Sequence, residues 1–212
     1  MIVLTTLLGY LLGSIPSGLV WVRLFTGQDV RAVGSGRTGG TNAMRAAGFW
    51  VGFLTAMSDI GKGTAAVLLA QGLLPGADQS LGMVLAGLAS IIGHNYPVWL
   101  NFKGGAGGAT CAGAALAFWP WIGPILIALG ALILYFIGYA SVATIAVAIT
   151  TAVTFALLAW VFAPGAFDPL FVLYGLGSIL LLAWALRPNF RRLMRGEERL
   201  VGRRAKKKPQ AA

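Results

Sequence analysis

Ala117-Phe118-Trp119-Pro120-Trp121-Ile122-Gly123-Pro124 lies inside an apolar run from 108 to 138. That run is longer than the roughly 20 residues one membrane-spanning helix needs. Proline removes a helix hydrogen bond and clashes with the preceding turn, and tryptophan favours the bilayer interface. The spacing therefore predicts a break there, with short helices over about 108–119 and 121–138. The remaining apolar stretches are approximately 2–25, 49–73, 80–100, 139–162 and 167–187, which makes seven spans.

Charge placement gives the same count. Arg31, Arg37 and Arg45 lie in the first connection, Lys103 in the third, and a cationic segment at the end, whereas Asp78 and Asp168 mark connections without Lys or Arg. The positive-inside rule then places the N-terminus outside and the glycine-rich loops and C-terminus in the cytoplasm. Three spans lead to the Lys103 loop, so an even number must follow it, and the Trp119-Pro120-Trp121 break supplies the fourth. Five spans with a re-entrant segment is the alternative.

Composition supports an all-α, polytopic membrane bundle. Of 212 residues, 58% are hydrophobic and 10% charged, against about 25% charged in soluble domains, and the mean hydropathy is +0.80. The first stretch lacks a basic start and is as long as a span, so it reads as a retained helix rather than a signal peptide. One cysteine, Cys111, and one histidine, His94, offer neither an intramolecular disulfide nor a multi-histidine metal centre. No cofactor or metal is expected. Residues 187–212 hold ten of the sixteen Lys and Arg against Glu197 and Glu198. A basic segment after a last span suits anionic headgroups, and without an aromatic-basic recognition motif it does not indicate nucleic acid. We expect a single domain over 1–202 and a basic, disordered tail over 203–212. Oligomeric state is not readable.

Two polar segments interrupt the apolar chain. Gly34-Ser35-Gly36-Arg37-Thr38-Gly39-Gly40-Thr41-Asn42 combines four glycines with hydroxyls and a guanidinium. Glycine permits positive φ and close approach of a ligand, and successive N–H groups form an anion nest, strengthened where a helix begins. Arg45 lies one turn further and is placed to reach the same anion. A flexible turn carrying positive-inside arginines is the plainer reading. In the second segment His94-Asn95-Tyr96-Pro97 ends a helix and Lys103-Gly104-Gly105 begins another candidate nest. His94 and Asn95 serve equally well as caps of that helix. Asp59 and Lys62 share a helix face at i,i+3 spacing, and charges at membrane depth pair or face a polar cavity. Near the end, Arg187-Pro188-Asn189-Phe190-Arg191-Arg192 sets an amide among guanidiniums, for which headgroup anchoring is sufficient.

Gly34-Ser-Gly-x-x-Gly-x-Thr-Asn42, Gly93-His-Asn-x-Pro-Val98, Phe102-Lys-Gly-Gly105 and Asn189-x-x-Arg-Leu-x-x-Gly-x-Glu198 occur in that order. Together they resemble the PlsY family of bacterial glycerol-3-phosphate acyltransferases, over nearly the whole chain. The resemblance implies a seven-helix, multi-pass enzyme of the bacterial inner membrane with its active face in the cytoplasm. It implies transfer of an acyl chain from acyl phosphate to the 1-hydroxyl of glycerol 3-phosphate, giving lysophosphatidate for phospholipid synthesis. It further implies that Ser35 and Arg45 carry catalysis by holding phosphate. Gly34, Gly36, Arg37, Thr41, Asn42, Lys62, His94, Asn95, Lys103, Gly104, Gly105, Asn189 and Arg192 are the implied substrate contacts. Three positions depart from the family pattern: Arg37 stands for Asn, Ala106 for Lys, and Leu186 for His. A relative that has lost catalysis and binds lipid phosphates or a partner is the first rival reading. A small transporter or anion channel is the second, disfavoured because the polar groups gather at one set of helix ends.

Overall fold

The computed structural model describes residues 1–201, so the expected tail over 203–212 lies outside the described residues. Those described form nine α-helices: α1 Ile2–Gly13, α2 Ser17–Thr26, α3 Gly40–Ala47, α4 Phe49–Leu73, α5 Asp78–Asn95, α6 Gly108–Phe118, α7 Ile122–Phe136, α8 Ala140–Leu157 and α9 Phe171–Met194. Among them the only β-pairing is an isolated bridge between Tyr139 and Leu200. Five segments are long and apolar enough to cross a membrane: Ile2–Thr26, Phe49–Leu73, Asp78–Leu100, Ala140–Phe162 and Phe171–Met194. The two shorter apolar helices, α6 and α7, flank the Trp119-Pro120-Trp121 break that the sequence predicts.

Two prolines change the expected helices. The first apolar stretch is not one helix, because Pro16 cannot donate and the chain opens between Gly13 and Ser17. The opening frees the Ile15 carbonyl, which accepts from the Ser17 N–H at 3.0 Å and from Lys62 Nζ at 2.9 Å. Away from water such a carbonyl must find a donor within the protein, and Lys62 supplies it. In the last span the outcome is the reverse. The apolar stretch ends near 187, yet α9 continues through Pro188 to Met194. Pro188 has no N–H for the carbonyl four residues back, that of Trp184, and Arg187 Nε donates to it instead at 3.0 Å. The Arg187 guanidinium also stacks on the Trp184 ring. Asn189 and Arg192 thus project from an unbroken helix.

Small residues set how closely the helices approach, as expected where lipid offers no hydrophobic drive between them. A Cβ on Gly63 of α4 would strike the Thr110 carbonyl of α6, and one on Gly113 of α6 would strike the Ile60 carbonyl of α4. Gly9 and Gly13 of α1 meet the Ala86 and Ser90 backbone of α5 in the same way. Beneath these contacts the largest core cluster packs Val67, Ile91, Cys111, Phe118, Phe155 and Tyr174. Tyr174 also donates from its hydroxyl to the Cys111 carbonyl at 2.8 Å.

Gly63→Ala and Gly113→Ala are expected to destabilise the bundle by about 1–3 kcal/mol each through overpacking, read as a lower Tm in detergent. Gly72→Ala, on the same α4 with open space at its Cβ, is expected to be neutral or to gain about 0.5–1 kcal/mol.

Candidate active site

The first glycine segment is organised by one side chain. Asn42, on the first turn of α3, accepts the Ser35 N–H at 3.0 Å through Oδ1. Its Nδ2 lies 2.9 Å from each of the Val30, Val33 and Arg37 carbonyls. Gly34 and Gly36 take the positive φ values of 56° and 70° that the turn needs, and a Cβ on Gly34 would meet Asn42 Oδ1. The Gly36 N–H donates to the Val33 carbonyl at 3.0 Å. The amides of Ser35 and Gly36 are therefore spent within the loop, which corrects the expectation that they form the anion nest. What the loop presents is the Ser35 and Thr41 side chains, the start of α3 at Gly40, and Arg45 one turn on. The first N–H groups of a helix have no partner within it, and they favour an anion.

The second glycine segment proves to be packing. The Gly104 and Gly105 N–H groups donate to the Asn95 and His94 carbonyls, at 3.1 and 3.0 Å, and close the end of α5. A Cβ on Gly104 would strike the His94 carbonyl, and one on Gly105 would strike His94 Nε2. These glycines make room for α5 and the imidazole, so the expected second phosphate nest is not formed by their amides. Lys103 is exposed and Asn95 is buried against Gly107, and neither lines the cavity described below.

Asp59 and Lys62 pair as their spacing predicts, Nζ to Oδ1 at 2.9 Å. His94 joins them from α5, with Nδ1 3.4 Å from the same oxygen. All three side chains are buried. Lys62 also holds the Ile15 carbonyl, so the cluster fastens the α1/α2 opening, α4 and α5 at one point. Lys62 faces this cluster rather than the cavity.

The C-terminal segment closes the site. Glu198, 8% exposed, accepts from Asn189 Nδ2 at 2.6 Å and from Arg192 Nε at 3.1 Å. The Val201 N–H donates to the Gly138 carbonyl at 2.9 Å, and Arg45 Nη2 reaches the Leu200 carbonyl at 3.4 Å. Glu198 is a residue that the sequence places in a motif but that was not expected in the site. Its one signal was the Asn189-to-Glu198 motif, since nothing in a basic run marks a carboxylate for burial. Arg37 Nη2 donates to the Ala185 carbonyl at 2.7 Å, and its Nη1 is buried with no protein acceptor. Burial, with the Arg192 guanidinium nearby, draws Arg37 below the ordinary arginine value. Burial likewise draws Arg45 down, with Arg199 acting in the same direction. Both remain cations, as guanidiniums in proteins do.

These parts surround one cavity of about 400 Å³. Ser35, Arg37, Thr41, Asn42, Arg45, Asp59, His94, Asn189, Arg192, Glu198 and Arg199 line its polar part, and Ala106 and Leu186 lie on its wall. Its apolar part is formed by Phe49, Phe53, Met57 and Ile60 of α4 with Leu126, Ile127 and Leu134 of α7. Four guanidiniums face two carboxylates, and each carboxylate is already engaged, Asp59 by Lys62 and Glu198 by Asn189 and Arg192. The polar end is therefore set for an anion, and the wall beside it for a hydrocarbon chain.

The protein-family model described as glycerol-3-phosphate acyltransferase matches residues 3–196. A protein named glycerol-3-phosphate acyltransferase from Zymomonas mobilis is 39% identical, over 94% of this chain and 95% of its own length. One of the same name from Rubrobacter xylanophilus is 41% identical, over 96% of each chain. Among solved structures, PlsY, an integral membrane glycerol 3-phosphate acyltransferase, in its glycerol 3-phosphate form superposes with a TM-score of 0.80. It is 34% identical and aligns over 95% of this chain and 96% of its own. The lysophosphatidic acid form gives 0.77 at 31% identity, over 95% of each chain.

Asn42→Ala withdraws the donor from three carbonyls, and buried groups left unpaired cost about 1–3 kcal/mol. Trypsin cleavage after Arg37 under native conditions is expected to accelerate roughly tenfold, corresponding to about 1.4 kcal/mol of easier local opening. Asn42→Asp should not restore protection, because a carboxylate accepts but does not donate.

Proposed function

The chain belongs to the glycerol-3-phosphate acyltransferase family, and we propose that it transfers a fatty acyl group from acyl phosphate to the 1-hydroxyl of glycerol 3-phosphate. The product is 1-acyl-glycerol 3-phosphate, a lysophosphatidate. The observation that carries this reading is the continuity of a cationic pocket with an apolar wall in one cavity. Both substrates carry phosphate, and one carries a chain that stays in lipid.

In this reading Ser35, Thr41, Arg45 and the N-terminal end of α3 hold the glycerol 3-phosphate phosphate. Arg37, whose Nη2 reaches the Ala185 carbonyl of α9, meets the donor phosphate with Asn189 and Arg192 as it leaves. Acyl phosphate is already activated, so positioning and stabilisation of developing charge supply most of the acceleration. Asn42 acts through the loop it holds, and Lys62 through Asp59. Arg37 supplies a cation to a cavity in which Ala106 and Leu186 carry none, so the departures from the family pattern need not silence the chain.

We place the N-terminus outside and the cavity mouth in the cytoplasm of a bacterial inner membrane, with α6 and α7 as the fourth and fifth of seven spans. The gathering of both glycine segments and the basic C-terminal segment at one end supports that orientation. Residues 1–202 then constitute one acyltransferase domain, whose basic end meets anionic headgroups.

Purified protein given radiolabelled glycerol 3-phosphate and palmitoyl phosphate is expected to form labelled lysophosphatidate. No lipid product with palmitoyl phosphate or with acyl-CoA in a parallel tube would overturn the reading. Arg45→Ala is expected to lower kcat/KM by one to two orders of magnitude, as loss of a charge-assisted hydrogen bond worth about 1.5–3 kcal/mol requires. Activity unchanged in both Ser35→Ala and Arg45→Ala would remove these residues from the site.

A further inference from the structure

We propose that the Arg37 guanidinium, held on α9, sets how firmly the cavity binds the donor's phosphate. It does so as a charge supplied to the cavity, not as a brace of the fold, so a cation introduced at Ala106 can take the task over. This rests on the acyl-transfer reading of the cavity and adds the residue that governs donor affinity.

Arg37 is held at both ends. Its carbonyl accepts from Asn42 Nδ2 at 2.9 Å, which fixes the backbone within the first glycine segment. Its Nη2 donates to the Ala185 carbonyl of α9 at 2.7 Å, which fixes the guanidinium. That group carries five N–H donors in one rigid plane, and the described residues engage only Nη2. Nη1 is buried with no acceptor, and the side chain lines the cavity. Among the described residues no carboxylate pairs with Arg37. Asp59 is engaged by Lys62, and Glu198 by Asn189 and Arg192. A charge taken from water without a partner is costly, and a buried donor without an acceptor adds to that cost. A brace between the first glycine segment and α9 needs only one neutral donor for the Ala185 carbonyl. A guanidinium left this short of partners at a cavity is explained by an anion that binds there.

The neighbouring wall leaves the charge unspent. Leu186 follows the Ala185 that holds Nη2, is buried, and lines the cavity together with Ala106. Neither side chain has an acceptor to draw the guanidinium away or a cation to share the phosphate. Arg192 lines the cavity as well, but its Nε is committed to Glu198. Ala106 places only a methyl group on the wall, so position 106 is a second point from which a cation can enter the same space. No covalent step is added. Arg37 keeps its protons and meets the phosphate oxygens before and after the acyl carbon–oxygen bond breaks.

The test is donor kinetics of the full-length purified protein with palmitoyl phosphate and glycerol 3-phosphate, and with inorganic phosphate as a competing anion. Arg37→Asn is expected to lower kcat/KM for palmitoyl phosphate by about 10- to 100-fold, the weight of a charge-assisted hydrogen bond. Inhibition by inorganic phosphate should weaken with it, and KM for glycerol 3-phosphate should change little. Ala106→Lys added to Arg37→Asn should recover roughly tenfold, whereas the same change beside an intact Arg37 should give no gain, a non-additivity that reports one shared anion. A brace produces a different set: a lower Tm, unchanged phosphate inhibition and no recovery from Ala106→Lys. That set overturns the proposal, as does an equal gain from Ala106→Lys in both backgrounds or a loss confined to KM for glycerol 3-phosphate. If Arg37→Asn does not fold, Arg37→Lys decides, since it keeps a donor for Ala185 and gives up the rigid plane. Wild-type kcat/KM and phosphate inhibition in Arg37→Lys then overturn the proposal. Ester formed equally well by the wild type and Arg37→Asn overturns this assignment alone, and no ester from the wild type overturns the acyl-transfer reading with it.

Discussion

The buried cluster of Lys62, Asp59 and His94 is the constraint on which the rest of the molecule depends. A charge at membrane depth is costly unless paired, so these groups fix the positions of the elements that carry them. Lys62 requires a carboxylate and a carbonyl. It finds the first one turn back on α4 and the second where Pro16 opens the first span. Asp59 in turn orients His94, and His94 requires glycine at 105. Through these links α1, α2, α4, α5 and the second glycine segment are brought to one point beside the cavity. Removing one charged member leaves its partner's charge buried and unpaired, at a cost of about 3–5 kcal/mol.

Close helix approach is the second constraint, and it serves the first. Gly63, the residue after Lys62, and Gly113 bring the backbones of α4 and α6 together. Gly9 and Gly13 do the same for α1 and α5.

Much of this was legible in the residues. The Trp119-Pro120-Trp121 break, the i,i+3 pairing of Asp59 with Lys62, and the apolar spans rest on local rules of length, proline chemistry and helical spacing. What was not legible depends on contacts distant in sequence. Gly104 and Gly105 read as an anion nest because composition does not say whether an amide is already engaged, and here the carbonyls ending α5 engage both. Pro16 opens its helix and Pro188 does not. Whether a helix survives proline depends on a donor for the freed carbonyl, and Arg187 provides one within its own helix. The burial of Glu198 follows from the chain's return to Gly138, a long-range pairing that no local pattern announces.

The account's central claim is that the phosphate of glycerol 3-phosphate is held by Ser35, Thr41, Arg45 and the N-terminal end of α3, not by the second glycine segment. The most direct test is an experimental structure of the protein in lipid with bound glycerol 3-phosphate, phased well enough to locate phosphorus. Phosphate oxygens within hydrogen-bond distance of Ser35 and Arg45 are the predicted result. Phosphorus beside Lys103 and the Gly104 and Gly105 amides, with Arg45 unoccupied, would contradict it.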